Sequence, residues 1–151
     1  MFVANLLTVD AITQTQLQGM DEENPIDGGV ALGSDLSTEE RRLIQSCGNQ
    51  LMLFRLRGPM SFGAAKGISS RIGLVSNCRV LILDISDVPR MGVTAALALE
   101  RMVEEAQALG RLTFVAGANQ RLQERLKKFG ITALMTTRQE ALERSSEYIS
   151  R

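Results

Sequence analysis

The pattern of apolar and polar positions predicts strands that alternate with helices from residue 50 onward. The apolar run Arg79–Ile85 (RVLILDI) is typical of a buried central strand. After it, Thr94–Leu109 has a helical period, with small and aliphatic residues on one face and charged residues on the other. Further strands are predicted at Gln50–Leu56, Met60–Phe62 (short, or a turn), Arg111–Ala116 and Ile131–Met135, and further helices at Ala64–Leu74, 119–129 and Arg138–Ile149. This alternation predicts an α/β fold with a mixed, mostly parallel central sheet of four to five strands and four packed helices.

The first 49 residues have a different character. Residues 19–37 contain four glycines, one proline and five acidic residues without periodicity, which is typical of a linker. Ser37 and Glu40 then form a predicted capping box that begins a short helix, Thr38 to about Cys47. Before the linker, residues 1–9 are apolar and 11–18 are polar and compatible with a helix. The apolar stub is either the end of a membrane helix or a short helix that packs on the domain. We therefore divide the chain into residues 1–18, a linker with a short helix over 19–49, and a domain over 50–150.

Charge is unevenly distributed although the chain as a whole is neutral. Residues 1–50 have eight acidic and two basic side chains, and the remainder has nine acidic and fifteen basic ones. The two parts could attract each other, or the basic part could face anionic lipid or nucleic acid, or the surface is simply solvated.

The residue types weigh against several classes of enzyme. The chain contains no histidine, which removes the commonest general base and the commonest metal ligand. Its two cysteines, Cys47 and Cys78, have no metal-ligand spacing and are expected to be free, buried thiols in a reducing compartment. We therefore expect no catalytic residue, no metal and no cofactor.

Two acidic residues, Asp84 and Asp87, lie at the carboxyl end of the central strand, where open α/β sheets place their binding sites. They could perform acid–base chemistry or hold Mg²⁺ with a phosphate. No P-loop or GxGxxG motif accompanies them. The alternative is that Asp84 braces the turn that follows it.

The next helix begins near Thr94. Its hydroxyl is expected either to cap that helix or to accept a phosphate, which the helix amino terminus would favour. Further along, Arg121, Arg125 and Lys128 form a basic helix face. That face could contact lipid phosphates or an acidic partner, although a solvated face is the simpler interpretation. Without interleaved aromatic residues it does not indicate nucleic-acid binding.

The stretch LMLFRLRGPMSFGAAKGI, followed by RVLILDISDVP and a helix that begins with small residues, resembles the STAS domain (sulfate transporter and anti-sigma-factor antagonist domain). The resemblance extends from about Gln50 to Ile149, and its Gly58-Pro59 turn is similar to the version carried by SulP anion transporters, most of all the cyanobacterial bicarbonate transporters among them. It implies a STAS-like fold in the cytoplasmic part of a membrane transporter, and residues 2–8 then look like the tail of its last membrane helix.

The same resemblance bears on the loop before Thr94. STAS proteins that kinases switch usually carry Asp-Ser-Ser/Thr-Gly there, whereas this chain has Gly92, Val93, Thr94 and Ala95. Only Thr94 keeps a hydroxyl, so the loop looks like a vestigial phospho-acceptor loop.

The main hypothesis is therefore a non-catalytic module that regulates and dimerises a SulP-family transporter, for sodium-dependent bicarbonate uptake. Its expected partners are a membrane domain in the same polypeptide, a second copy of the chain and a cytosolic regulatory protein, with no nucleic acid. The alternative is a free-standing anti-sigma-factor antagonist switched at Thr94. A small enzyme or nucleotide binder that uses Asp84 and Asp87 is a third hypothesis.

Overall fold

A computed structural model describes residues 8–12, 36–57 and 78–151 of the chain. In this part of the chain the strands are β1 (Thr8–Ile12), β2 (Leu51–Arg57), β3 (Val80–Asp87), β4 (Leu112–Ala116) and β5 (Leu134–Met135). The α-helices are α1 (Thr38–Cys47), α2 (Val93–Ala108), α3 (Gln120–Lys128) and α4 (Arg138–Ile149), and a short 3₁₀ helix, Gly48–Gln50, follows α1.

The strands form one sheet in the order β1-β2-β3-β4-β5. β1 pairs antiparallel with β2, and each later pair is parallel. The predicted fold class is therefore confirmed: a mixed, mostly parallel sheet of five strands with four helices in the described residues. None of these helices combines the length and the hydropathy that crossing a bilayer requires.

One face of the sheet is covered by α2 and α3. Side chains from β2, β3 and β4 on this face alternate with those on the other face, as the two-residue period of a strand requires. The cluster includes Phe54, Leu83, Leu99 and Leu126, all buried. The predicted apolar face of α2 is the face that packs here.

The opposite face is covered by α1 and α4. Its cluster combines Leu53 and Ile82 of the sheet with Ile44 of α1 and Leu142 of α4. Both faces of β3 are thus buried, which explains its unbroken apolar sequence.

The helix ends follow the local sequence. Ser37 Oγ accepts a hydrogen bond from Glu40 N, and Glu40 Oε1 accepts one from Ser37 N, so the predicted capping box is confirmed. Asn119 Oδ1 accepts from Leu122 N at 2.9 Å and caps α3 as predicted.

Several predicted elements differ from the structure. Thr8–Ile12 is an edge strand, not part of a helix or of a polar segment outside the domain, because its backbone pairs with β2 over five register positions. α1 packs on the sheet and is part of the domain, not of a linker. The last strand is shorter than predicted, since Ile131 packs in the core before the strand begins at Leu134.

Other predictions lie outside the described residues. They are the strand or turn at 60–62, the helix at 64–74, the apolar residues 1–7 and the linker up to residue 35.

Candidate functional site

The loop between β3 and α2 is short and well anchored. Val88 N donates to Ile85 O at 3.1 Å, and the side chains of Val88 and Met91 are buried. Helix α2 then begins at Val93, with Gly92 as its N-cap residue and no side-chain cap. Thr94 is therefore the second helical residue, exposed, and the prediction that it caps the helix is wrong. Its phosphorylation stays a prediction, as does the vestigial character of residues 92–95.

Asp84 occupies the last buried polar position of β3. Its Oδ1 accepts from Ser86 N at 3.0 Å and from Ser86 Oγ at 2.5 Å. These bonds brace the strand end, as one of the two sequence interpretations proposes. Its Oδ2 accepts from Arg138 Nη1 of α4 at 3.0 Å.

Arg138 joins three elements of the fold. Its guanidinium donates from Nε to Glu40 Oε2 at 2.7 Å and from Nη2 to Glu40 Oε1 at 3.1 Å, besides the bond to Asp84. The two bonds to Glu40 form a bidentate pair, in which the planar guanidinium matches the geometry of the carboxylate. A cation in the first turn of α4 opposes the helix dipole, and the two carboxylates offset that cost.

The pKa values in this cluster reflect the pairing. Burial by itself raises the pKa of Glu40, but hydrogen bonds from Arg138 and from the Ser37 amide outweigh it and hold that pKa below its usual value. Burial likewise opposes the charged form of Arg138, yet Glu40 and Asp84 raise its pKa above the ordinary value. Both groups are therefore ionised at neutral pH.

Arg55 of β2 completes what we call the charge cluster: Glu40, Arg55, Asp84 and Arg138. Arg55 is the register partner of Asp84 and is only 1% exposed. The four formal charges cancel, and the cluster covers the carboxyl end of the α1/α4 face. Sequence reasoning found only Asp84, because the other three come from positions far apart in the chain.

A cleft of about 680 Å³ lies beside this cluster, at the carboxyl ends of the parallel strands. Glu40, Asp87, Glu140 and Glu143 line it together with Arg138. Four carboxylates against one guanidinium do not favour a phosphate. Within the described residues, no group of three or more Asp, Glu, Cys or His side chains is arranged to hold a metal ion.

Gly117 forms part of the cleft wall, and any other residue at this position would disturb the neighbouring backbone and side chains. Its φ is +81°, and a Cβ there would lie 2.0 Å from Ser86 Oγ. The absence of a side chain at Gly117 lets the loop after β4 pack against Ser86, which is hydrogen-bonded to Asp84.

The basic face of α3 lies next to the β3–α2 loop. Arg125 Nη1 donates to Met91 O at 2.8 Å, and Asn119 Nδ2 donates to Pro89 O at 3.3 Å. The structure therefore brings together two features that the sequence presents separately, the loop before Thr94 and the Arg121, Arg125 and Lys128 face. The parallel topology explains this, since successive helices begin at the same edge of the sheet. Asp84 and Asp87 belong to the other side of that edge.

Comparison with known proteins identifies the family of this arrangement. The family model of the STAS domain matches residues 40–143. The bicarbonate transporter BicA of Synechocystis sp. is 36% identical over 130 residues, which are 86% of this chain and 22% of that protein. BicA of Picosynechococcus sp. is 37% identical over 127 residues, 84% of this chain and again 22% of that protein. The chain thus spans about a fifth of the length of the curated relatives it matches.

A solved structure gives the same result. The STAS domain of a SulP transporter from Vibrio cholerae has 28% identity and a TM-score of 0.60, and the match covers 67% of this chain and 84% of that one.

Proposed function

Because the chain belongs to the STAS domain family, we propose that it is the cytoplasmic, non-catalytic module of a SulP-family anion transporter, of the kind that takes up bicarbonate with sodium. The similarity to two BicA proteins over more than four fifths of the chain carries this proposal. In this proposal the transport pathway belongs to a membrane domain in the same polypeptide, and the module regulates it.

The described residues suit a module of this kind. The charge cluster occupies the carboxyl edge of one sheet face, where an enzyme of this architecture would place reactive groups. Its guanidinium and carboxylates already bind one another, so they brace helices instead of presenting chemistry to a substrate.

Transport measurements test the proposal. Bicarbonate uptake would be measured in cells that carry the full-length gene and in cells whose gene lacks the codons for residues 38–151. We expect the truncated protein to reach the membrane, which an immunoblot of fractionated cells reports, and to take up bicarbonate at an altered rate. A soluble protein of the mass of this chain in the fractionated cells would contradict the proposal.

We also propose that the module forms a homodimer. β1 and β5 end the sheet order, and an edge strand offers backbone groups to a second chain. Light scattering of the purified chain should show an average mass that rises with concentration towards twice that of one chain. A single-chain mass at every concentration would contradict dimerisation.

The free-standing antagonist fits less well. The identity to transporters extends through most of the chain, and the loop at Gly92–Ala95 lacks the acidic residue and the glycine that the switched proteins carry.

A further inference from the structure

A groove made of two adjoining hollows lies between α3 and the loop that precedes α2. Its first part, about 490 Å³, has Pro89–Gly92 on one wall and Arg121, Leu122 and Arg125 on the other. A second hollow of about 350 Å³ shares Arg121 and Arg125 with the first and extends to Val93, Lys128 and Phe129. We call these two hollows the α2–α3 groove.

Apolar side chains are exposed at this groove. Val93 is 53% exposed and Leu97, one helical turn further along α2, is 45% exposed. The described residues contain only one other large apolar side chain that is exposed, Leu109, at the far end of the same helix. Val93 therefore adds an exposed apolar side chain to the wall of the second hollow, with Leu97 one turn away on the same helix, and exposed apolar side chains that lie together mark interaction surfaces.

The rim of the groove is cationic. Arg90, Arg121 and Lys128 are exposed, Arg125 is fixed by its bond to Met91 O, and Glu124 is the single acidic residue among the described residues that line either hollow. Exposed rim charges attract an oppositely charged partner, and an apolar floor holds it in place.

We propose that the α2–α3 groove binds an acidic peptide segment of a partner protein. The carboxylates of the segment meet Arg121 and Lys128, and its apolar side chains pack on Val93 and Phe129. This proposal goes beyond the function proposed above and does not depend on it.

The surface fits this occupant better than two others. A lipid headgroup has no apolar side chain to fill a hollow walled by Met91 and Leu122. A second copy related by a two-fold axis through the groove would place the cationic rim against itself, which like-charge repulsion disfavours.

Fluorescence anisotropy of the purified chain with labelled synthetic peptides tests the proposal. The probe is four repeats of Asp-Glu-Leu; one comparison peptide replaces the acids with Ser and Gln, and the other replaces Leu with Ser. We expect only the acidic, leucine-containing peptide to bind well. Raising sodium chloride from about 50 mM to about 300 mM should weaken that binding, because salt screens exposed charges.

Matched variants locate the binding. Arg121→Glu with Lys128→Glu should weaken the affinity about tenfold, since both rim charges reverse sign. Arg144→Glu with Arg151→Glu makes the same change in net charge at exposed positions on and after α4, on the other face of the sheet, and should alter the affinity less than about twofold. Val93→Ser should weaken it by a smaller factor than the double reversal. Arg125 is left unchanged because its bond to Met91 shapes the loop.

A further variant tests whether an acidic segment of the same chain competes with the peptide for the groove. Replacing the five acidic residues between 21 and 35 with Asn and Gln should strengthen peptide binding if that segment competes for the groove, which would support the proposed chemistry.

Three results would overturn the proposal. They are an equal loss of affinity in both double variants, equal binding of the peptide without leucine, and no peptide binding to either the unmodified chain or the variant with the neutralised segment. If vesicles with phosphatidylserine bind and the peptides do not, the groove faces lipid and the proposal is wrong.

Discussion

The two faces of the sheet end differently at the carboxyl edge of the strands. On the α1/α4 face, Arg138 binds the buried carboxylates of Glu40 and Asp84, and an acidic cleft lies beside this ion-paired group. On the α2/α3 face, the apolar core ends in an open groove with a basic rim. Both faces come from the same parallel strands, so the contrast shows how one edge can carry paired charges and an acidic cleft on one side and an apolar groove with a basic rim on the other.

The largest effect is expected from Arg138→Met. The substitution keeps the bulk of the side chain but removes the guanidinium that binds the buried carboxylates of Glu40 and Asp84, and breaking a buried pair in this way costs about 3–5 kcal/mol of unfolding free energy. Urea unfolding followed by circular dichroism measures it. Arg144→Met, at an exposed position of the same helix, should change stability by less than about 0.5 kcal/mol. Similar values for the two variants would show that the cluster contributes little.

A smaller loss is expected from Gly117→Ala. Alanine must adopt a positive φ there, and its Cβ displaces Ser86 Oγ, which holds Asp84. We expect a loss of about 2 kcal/mol. Gly110→Ala is the matched control, because Gly110 has φ +80° but no atom within 4 Å of the added Cβ, so it isolates the backbone cost of about 1 kcal/mol. Equal losses would mean that Ser86 moves aside freely.

Acid should weaken the α1/α4 face through Glu40. The pKa of Glu40 in the folded chain is below its ordinary value of 4.5. Glu40 therefore contributes stability that is present above that value and is lost as the pH falls through the folded pKa. Unfolding free energies measured between about pH 6 and pH 3 should decline less steeply for Glu40→Gln than for the unmodified chain. Glu147→Gln, at an exposed position of α4, should leave the slope unchanged; equal slopes in all three proteins would contradict the assignment.

The smallest effects concern the helix starts. Ser37→Ala removes a cap that the structure shows and should cost about 1 kcal/mol. Thr94→Ala should cost less than about 0.5 kcal/mol, because Gly92 is the N-cap of α2 and Thr94 makes no cap. Thermal unfolding of both variants separates these values. A larger loss at Thr94 would restore the capping role that the sequence alone predicts.

The sequence predicts best where local signals decide the structure. The continuous apolar run of β3, the amphipathic period of α2, and the caps at Ser37 and Asn119 act within a few residues, and the structure shows all four. At the start of α2 the signal is ambiguous, because both Gly92 and Thr94 are residue types that can occupy the N-cap position. In the structure Gly92 is the N-cap residue.

Long-range pairing explains what the sequence does not predict. β1 depends on a partner more than forty positions away, and its five residues have too little pattern to indicate a strand. The charge cluster is similar, since Glu40 and Arg138 lie almost a hundred positions apart. The sequence contains one sign of the cluster, which is the charged residue Arg55 within the apolar strand β2. This sign is not decisive, because a strand with one face in solvent also carries charged residues.

The pairing of Arg55 with Asp84 also restricts how the sheet can assemble. Shifting β2 by one residue against β3 would turn Arg55 onto the other face of the sheet, among Leu83 and Ile85. An isolated guanidinium there would be far more costly than a misplaced leucine. Apolar segments such as LMLF in β2 and VLIL in β3 could pair in more than one register at little cost in free energy. The buried charges therefore favour a single register between these two central strands.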